Sequence, residues 1–266
     1  MKKTIKYFIT SDEHGCFEEM KIAEELAGYQ EENPLHYRVS LGDFMDRGEQ
    51  TKEIYEYYKR LSDEGKATIL GGNHSLFLIG FLEGDNQSFS FLRNGLNETI
   101  YSFLEKDGET YERWCLLKGE KMETESFLRW SSYARKIIND KFPELLPWLK
   151  SLPRYFETKM YIGVHGAIDT RVPDWRHPHC CRGGLIDWDA LDFNDGSFFG
   201  ESIVNTDKTV IIGHFGTDAL RKLYKISDGG DSYRILERED GRVIAIDGTV
   251  NYKRKMNLLI IEDEEL

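Results

Sequence analysis

Cysteine is scarce in this chain: four residues in 266, at Cys16, Cys115, Cys180 and Cys181, two of them adjacent. Such a set does not build a disulfide framework, so a reducing, cytoplasmic location is the expectation. No run approaches the ~18 consecutive apolar residues of a membrane-spanning helix, so no membrane association is expected. The stretch from Met1 to Ile9 breaks its apolar character at Lys6 and lacks a small-residue cleavage site, so no secretory leader is read there. Basic side chains are outnumbered, 35 Lys and Arg against 47 Asp and Glu, for a net charge of −12. That balance leaves no surplus of cations to displace counterions from a long nucleic acid, which is therefore not an expected partner. A small anionic substrate survives the argument, because a local site outweighs a distant unfavourable field.

What is present is an ordinary globular supply, 40% hydrophobic and 13% aromatic, with no internal repeat and no low-complexity linker. At ~150 residues per domain the length admits one large domain or two small ones. Short runs rich in β-branched and aromatic residues predict strands at Thr4–Thr10, Tyr37–Leu41, Ala67–Leu70, Met160–Val164, Thr209–Ile212, Val243–Ile246 and Asn257–Ile261. Helical patterns separate the first three, at Phe17–Tyr29 and Gln50–Glu64, the latter with Ile54, Tyr57, Tyr58 and Leu61 on one face. The alternation predicts an α/β fold beginning with a largely parallel unit. From Phe81 to about Leu152 the pattern turns helical, best at Asn97–Leu104 and Glu123–Lys141, with Pro143, Pro147 and Pro153 punctuating the exit. We read 81–152 as a helical insertion within a single domain covering 1–266. Asp228-Gly229-Gly230-Asp231 reads as a turn, and the chain from Ile261 as an acidic, solvated tail.

Polar residues gather where strands end. Asp12-x-His14-Gly15 follows the first, Gly42-Asp43-x-x-Asp46-Arg47-Gly48 the second and Gly72-Asn73-His74 the third; His165 and Gly213-His214 follow two later ones. In open α/β sheets the carboxyl ends of strands line the ligand crevice. Each motif alone has an ordinary reading as a turn or a helix cap. Together they deliver carboxylate, amide and imidazole donors to one region, a set suited to borderline divalent ions. No thiolate joins them, so a structural zinc cluster is a poor match.

These motifs resemble those of the calcineurin-like metallophosphoesterases, within the branch of serine/threonine protein phosphatases and symmetrical diadenosine tetraphosphate hydrolases. Bacterial members are further matched by Asn94-Gly95-Leu96-Asn97-Glu98-Thr99-Ile100-Tyr101-Ser102, by Leu152-Pro153-Arg154-Tyr155-Phe156 and by the run Lys208 to His214. The resemblance implies a two-sheet β core flanked by helices and a pair of divalent metal ions. Manganese is the first expectation, with iron, zinc and cobalt as alternatives. It implies that Asp12, His14 and Asp43 hold one ion, and that Asp43 bridges to a second completed by Asn73, His165 and His214. His74, paired with Asp46, is implied as general acid, and Arg47 as the grip on phosphate. The implied reaction is in-line attack on phosphorus by a metal-bridging hydroxide. A phosphomonoester, including phosphoserine or phosphothreonine in a protein, is the first expected substrate; a dinucleoside polyphosphate is the alternative. A metal-binding protein without catalysis is the lesser one.

Three departures from the pattern stand out. Ser75 follows Gly-Asn-His where relatives carry an acidic residue that could orient Arg47. His165-Gly166-Ala167 replaces His-Ala-Gly. The segment Ile186-Asp187-Trp188-Asp189-Ala190 lacks a second phosphate-binding arginine, leaving Arg182 or Arg176 as substitutes. The run His177-Pro178-His179-Cys180-Cys181 reads as a surface loop rather than a second metal site. The aromatic runs Phe77–Phe81 and Phe89–Phe91, with Trp148 and Trp188, read as packing rather than as base-stacking surfaces.

Overall fold

The computed structural model describes residues 3–85, 92–105, 108–176, 181–182, 196–227 and 229–264. The first half alternates β1 (Thr4–Thr10), α1 (Phe17–Leu26), β2 (His36–Ser40), α2 (Thr51–Asp63), β3 (Ala67–Ile69) and α3 (Asn73–Glu83). Four helices follow: α4 (Leu96–Leu104), α5 (Tyr111–Lys118), α6 (Thr124–Lys141) and α7 (Leu145–Ser151). The second half holds β4 (Tyr155–Glu157), β5 (Tyr161–Val164), β6 (Ala167–Ile168), β7 (Cys181–Arg182), β8 (Thr209–Ile212), α8 (Thr217–Leu223), β9 (Leu236–Glu237), β10 (Val243–Ala245), α9 (Val250–Lys253) and β11 (Leu259–Glu264).

Two mixed sheets result. One has the order β11-β1-β2-β3, the other β4-β5-β8-β10-β9, and β6 pairs with β7 in a small separate ribbon. β1, β2 and β3 run parallel, as do β5, β8 and β10; β11, β4 and β9 are antiparallel edges. The parallel strands are buried on both faces toward their carboxyl ends; the face of β2 turned from the second sheet carries Arg38 and Ser40, buried in a hydrogen-bonded network with Glu24, Thr10 and Glu13. Between the sheets, Ile9, Val39, Leu41 and Leu70 of the first half meet Phe156, Ile211, Ile244 and Ile246 of the second. Outside, one core joins the first sheet to α2–α7, and another gathers Ile162, Val164, Trp175, Phe198, Val210 and Leu220 behind the second sheet. This is the two-sheet, helix-flanked architecture the motifs imply.

Several details depart from the sequence reading. α3 has no counterpart there. Nine of its eleven residues are buried, so it lacks the polar stripe that marks a helix, and its start coincides with the Gly72-Asn73-His74 motif. The acidic tail is instead the outer strand of the first sheet. Glu262, Asp263 and Glu264 belong to β11, and the buried Asp263 accepts hydrogen bonds from Thr158 Oγ1 at 2.7 Å and the Met160 amide at 2.6 Å. Phe77, Phe81 and Trp148 are core residues, as expected. Phe89–Phe91, Trp188, Asp228 and His177 to Cys180 lie outside the described residues; Cys181 is buried in β7. Among the described residues no helix is long and apolar enough to cross a membrane.

Candidate metal centre

The six parallel strands all end at one edge of the double sheet, and each is followed by a polar residue of the centre: Asp12 after β1, Asp43 after β2, Asn73 after β3, His165 after β5, His214 after β8 and Asp247 after β10. The turns are tight and the backbone is strained. Asp12, His14, Asp43, Asp46, Arg47 and His214 all have positive φ, making six of the ten non-glycine residues in that state among those described. Left-handed backbone costs a non-glycine residue of order 1 kcal/mol or more and persists only where the surroundings over-determine it. Here they do. The Asp12 amide donates to Gly42 O (2.9 Å), the His14 amide to Asp43 O (3.1 Å) and the Gly15 amide to Phe44 O (2.9 Å), lacing the first two turns together. The two turns meet so closely that a Cβ on Gly48 would lie 2.3 Å from His14 O. At the third turn a Cβ on Gly72 would lie 2.0 Å from Asp43 Oδ1, so only glycine lets α3 start against that carboxylate.

The carboxylates are fixed by backbone donors. Asp43 Oδ1 accepts from the His74 amide at 2.9 Å, and Asp12 Oδ2 from the His214 amide at 2.8 Å. Asp43 Oδ2 is left facing His165 Nε2 at 3.1 Å and His74 Nε2 at 4.0 Å, while Asp12 Oδ1 lies 4.0 Å from His14 Nε2. The histidines are oriented from behind. His14 Nδ1 donates to Met45 O (2.8 Å) and His165 Nδ1 to Leu41 O (3.0 Å), which turns both Nε2 atoms inward. His165 Nε2 then lies 3.1 Å from Asn73 Oδ1 and 3.2 Å from His214 Nδ1. Glu13, between two site residues, points the other way, accepting from Tyr58 (2.6 Å) and Ser40 (3.0 Å) in a buried network with Arg38, itself held by Glu24 at 2.8 Å.

Two groups of donor atoms each lie within 4.8 Å of one another, His14, Asp43 and His74 in one, Asp43, His165 and His214 in the other. Asp43 is common to both. The cluster is rich in acceptors and buried, so it calls for positive charge at its centre. The titration behaviour says the same. Burial pushes the His165 imidazole down, yet the Asp43 carboxylate beside it wins and holds it up at about 9. Burial would raise Asp43, but His165 and His74 hold it well below the usual carboxylate range. Burial, with Asp247 and Asp43 nearby, pushes Asp12 up, and burial with Arg47 and His74 pushes His14 well down. Imidazole nitrogens, carboxylates and an amide oxygen, all facing inward, fit a pair of borderline divalent ions, whose charge would take the place of the proton that Asp43 favours on His165. Asp12, His14, Asp43, Asn73, His165 and His214 thus lie beside one another at the strand ends.

The remaining sequence candidates sit at the rim. His74 Nδ1 donates to Asp46 Oδ2 at 2.6 Å, leaving Nε2 toward the centre. Arg47 spans the mouth, with Nη1 2.9 Å from His14 Nε2 and Nη2 3.4 Å from His74 Nε2. Ser75 is fully buried at the start of α3 and its Oγ lacks a hydrogen-bond partner, so it supplies nothing to Arg47. Arg176 is engaged elsewhere, with Nε 2.9 Å from Glu157 Oε2; the Arg182 side chain and Ile186 to Ala190 lie outside the described residues.

Two residues escaped the sequence reading. Thr99 of α4 accepts from the Asp46 amide (2.8 Å) and donates to Asp46 Oδ1 (2.7 Å), so the helical segment steadies the His74 partner. It lies in a quoted run, but nothing in that run marks one threonine out. Asp247, buried after β10, is pushed up to about 6 chiefly by burial. Its position after an apolar strand, like the other five, was the available signal.

The fold and this centre together define a class. Residues 5–246 match the calcineurin-like phosphoesterase model, and the chain belongs to that family. It is 32% identical over 113 residues to the asymmetrical bis(5'-nucleosyl)-tetraphosphatase PrpE of Anoxybacillus flavithermus, covering 40% of this chain and 45% of that protein. It is also 35% identical over 78 residues to the symmetrical bis(5'-nucleosyl)-tetraphosphatase of Glaesserella parasuis, covering 29% and 27%. The matched stretches thus span less than half of these relatives. A protein serine/threonine phosphatase from Saccharomyces cerevisiae has a similar fold, with a TM-score of 0.56 and 14% identity over 98% of this chain and 80% of that one.

Proposed function

We propose that this protein is a metal-dependent phosphohydrolase, with Asp12, His14, Asp43, Asn73, His165 and His214 holding two divalent ions. The observation that carries the reading is the sharing of Asp43 between two groups of histidine nitrogens, those of His14 and His74, both buried, and those of His165, buried, and His214, half-buried. When bound, such a pair of ions supplies the positive charge that polarises a phosphate and lowers the pKa of water. The chain does the rest. Arg47, the cation at the mouth, takes the remaining phosphate oxygens through paired N–H donors. Asp46, pinned by Thr99, fixes the His74 ring so that Nε2 faces the site, from which a proton passes to the leaving oxygen. The buried backs of His14 and His165, tied to Met45 and Leu41, turn Nε2 of each ring toward the site.

A phosphomonoester and a nucleotide phosphoanhydride both offer a phosphate to this arrangement, and they differ in the leaving group. Relatives named as bis(5'-nucleosyl)-tetraphosphatases support a dinucleoside polyphosphate; the single-phosphate grip of Arg47 supports a phosphomonoester. The test is chelator-stripped protein reloaded with manganese and given a phosphoserine peptide and diadenosine tetraphosphate together. Phosphorus NMR after quenching in chelator reads free phosphate, ADP, or AMP with ATP as separate products. Absence of any product from protein shown to hold two ions would contradict the reading.

A further inference from the structure

Glu13 stands in sequence between two residues of the centre, Asp12 and His14, and its fully buried side chain bonds instead to Tyr58, Ser40 and Thr10. We propose that Glu13 is a positioning residue. Its carboxylate fastens the turn after β1 to α2 and β2, and so sets where Asp12 and His14 present their ligand atoms. The inference rests on the metal-dependent reading above and names what holds one half of that centre in place.

The turn needs an anchor. Asp12 and His14 both have positive φ, a conformation that persists only where the surroundings hold it. Amide bonds from Asp12, His14 and Gly15 lace this turn to the one after β2. Glu13 ties it to a second set of elements. Its Oε1 accepts from Tyr58 of α2 at 2.6 Å and from Thr10 at the end of β1; its Oε2 accepts from Ser40 at the end of β2 at 3.0 Å. Arg38 of β2 sets the direction of two of these bonds. Its Nη2 donates to Thr10 Oγ1 at 2.6 Å and to the Tyr58 hydroxyl at 3.0 Å, so each hydroxyl receives from the guanidinium and gives its own proton to Glu13. Arg38 Nη2 itself stays 3.9 Å from Glu13 Oε1, so the two bridging hydroxyls carry the link.

The same network has a second arm. Arg38 Nε donates to Glu24 of α1 at 2.8 Å, and Glu24 also accepts from Tyr57 at 2.9 Å. Glu24 already balances the buried guanidinium, so a second buried carboxylate is not needed for that purpose. What Glu13 adds is attachment of the turn. Removing a bridge leaves its buried carboxylate short of a donor, and the carboxylate regains one only by moving, which carries Asp12 and His14 with it.

The test is a calorimetric titration of the chelator-stripped full chain with manganese, beside its melting temperature without metal. The wild type should bind two ions. Tyr58→Phe and Thr10→Val each remove one bridging hydroxyl and keep the shape. Each should weaken one ion about 10-fold, the one placed at Asp12 and His14, and leave the other unchanged. Tyr57→Phe removes a hydroxyl from the Glu24 arm and should bind both ions as the wild type does. Thr10→Ser loses a methyl group but keeps the hydroxyl, and should also bind as the wild type does, whatever its melting temperature. Equal weakening in Tyr57→Phe, or in Thr10→Ser as in Thr10→Val, would overturn the inference and make the network a matter of stability only. Two ions in the wild type with no change in Tyr58→Phe and Thr10→Val would remove this inference alone. A wild type that binds no manganese would remove the metal reading and this inference with it.

Discussion

Thr99 holds Asp46 at two points, accepting from its amide at 2.8 Å and donating to its Oδ1 at 2.7 Å, while the other carboxylate oxygen holds His74. A residue of the helical segment thereby sets the orientation of a ring across the site. Thr99→Val keeps the shape and removes both bonds. We expect a fall in turnover of about 10- to 100-fold with the metal content of the purified protein unchanged, read by elemental analysis beside a steady-state assay. Loss of metal with rate would assign Thr99 to the metal cradle instead.

His74 is the proposed proton donor, so its removal should separate chemistry from binding. His74→Ala should retain two ions per chain and lose about 100- to 10,000-fold in turnover of substrates with poor leaving groups. A leaving group that needs no proton, such as p-nitrophenolate, should suffer much less. Equal loss for both kinds of substrate would show that His74 acts as a ligand, which its place within 4.8 Å of the His14 and Asp43 donors makes the alternative to test.

Gly72 lets α3 begin against Asp43. A methyl group there would lie 2.0 Å from Asp43 Oδ1 and 2.7 Å from its amide nitrogen. Gly72→Ala should therefore displace the shared carboxylate, lowering stability by about 1–3 kcal/mol and metal occupancy with it. A thermal melt and a metal count on the same sample check both. Wild-type occupancy would mean the turn yields without moving Asp43.

Far from the centre, Glu157 faces Arg176 and Lys208. Burial alone would raise its carboxyl, but those two cations hold it below the usual value of 4.5. A carboxylate depressed in the folded state contributes stability that is complete above about pH 4.5 and lost as the pH falls through that range. Urea titrations at pH 7 and pH 3.5 should show this loss in the wild type. In Glu157→Gln it should be smaller by up to about 1 kcal/mol, the variant being less stable at pH 7.

Much of the centre was legible because it follows strand ends. The apolar runs ending in Thr10, Leu41, Val164 and Ile212 place Asp12, Asp43, His165 and His214 at one edge, and the resemblance supplied their pairing. What was not legible lacked a periodic signal. α3 is buried on nearly every side, so no polar stripe betrays it. β11 is acidic in its second half, yet Asp263 is buried because Thr158 and the Met160 amide answer it from 105 and 103 residues away in sequence. The role of Thr99 depends on where α4 packs, and no local pattern carries that. Asp247 had the same signal as the others and stood outside the recognised motifs.

The most direct measurement of the central claim is the metal content and turnover of Asp43→Asn beside the wild type, each stripped with chelator and reloaded with manganese. Asn keeps the shape and removes the charge that both donor groups share. The account predicts two manganese ions per chain and turnover in the wild type, and at most one ion with turnover lost in the variant. Undiminished turnover in Asp43→Asn, or in wild type kept free of metal, would contradict it.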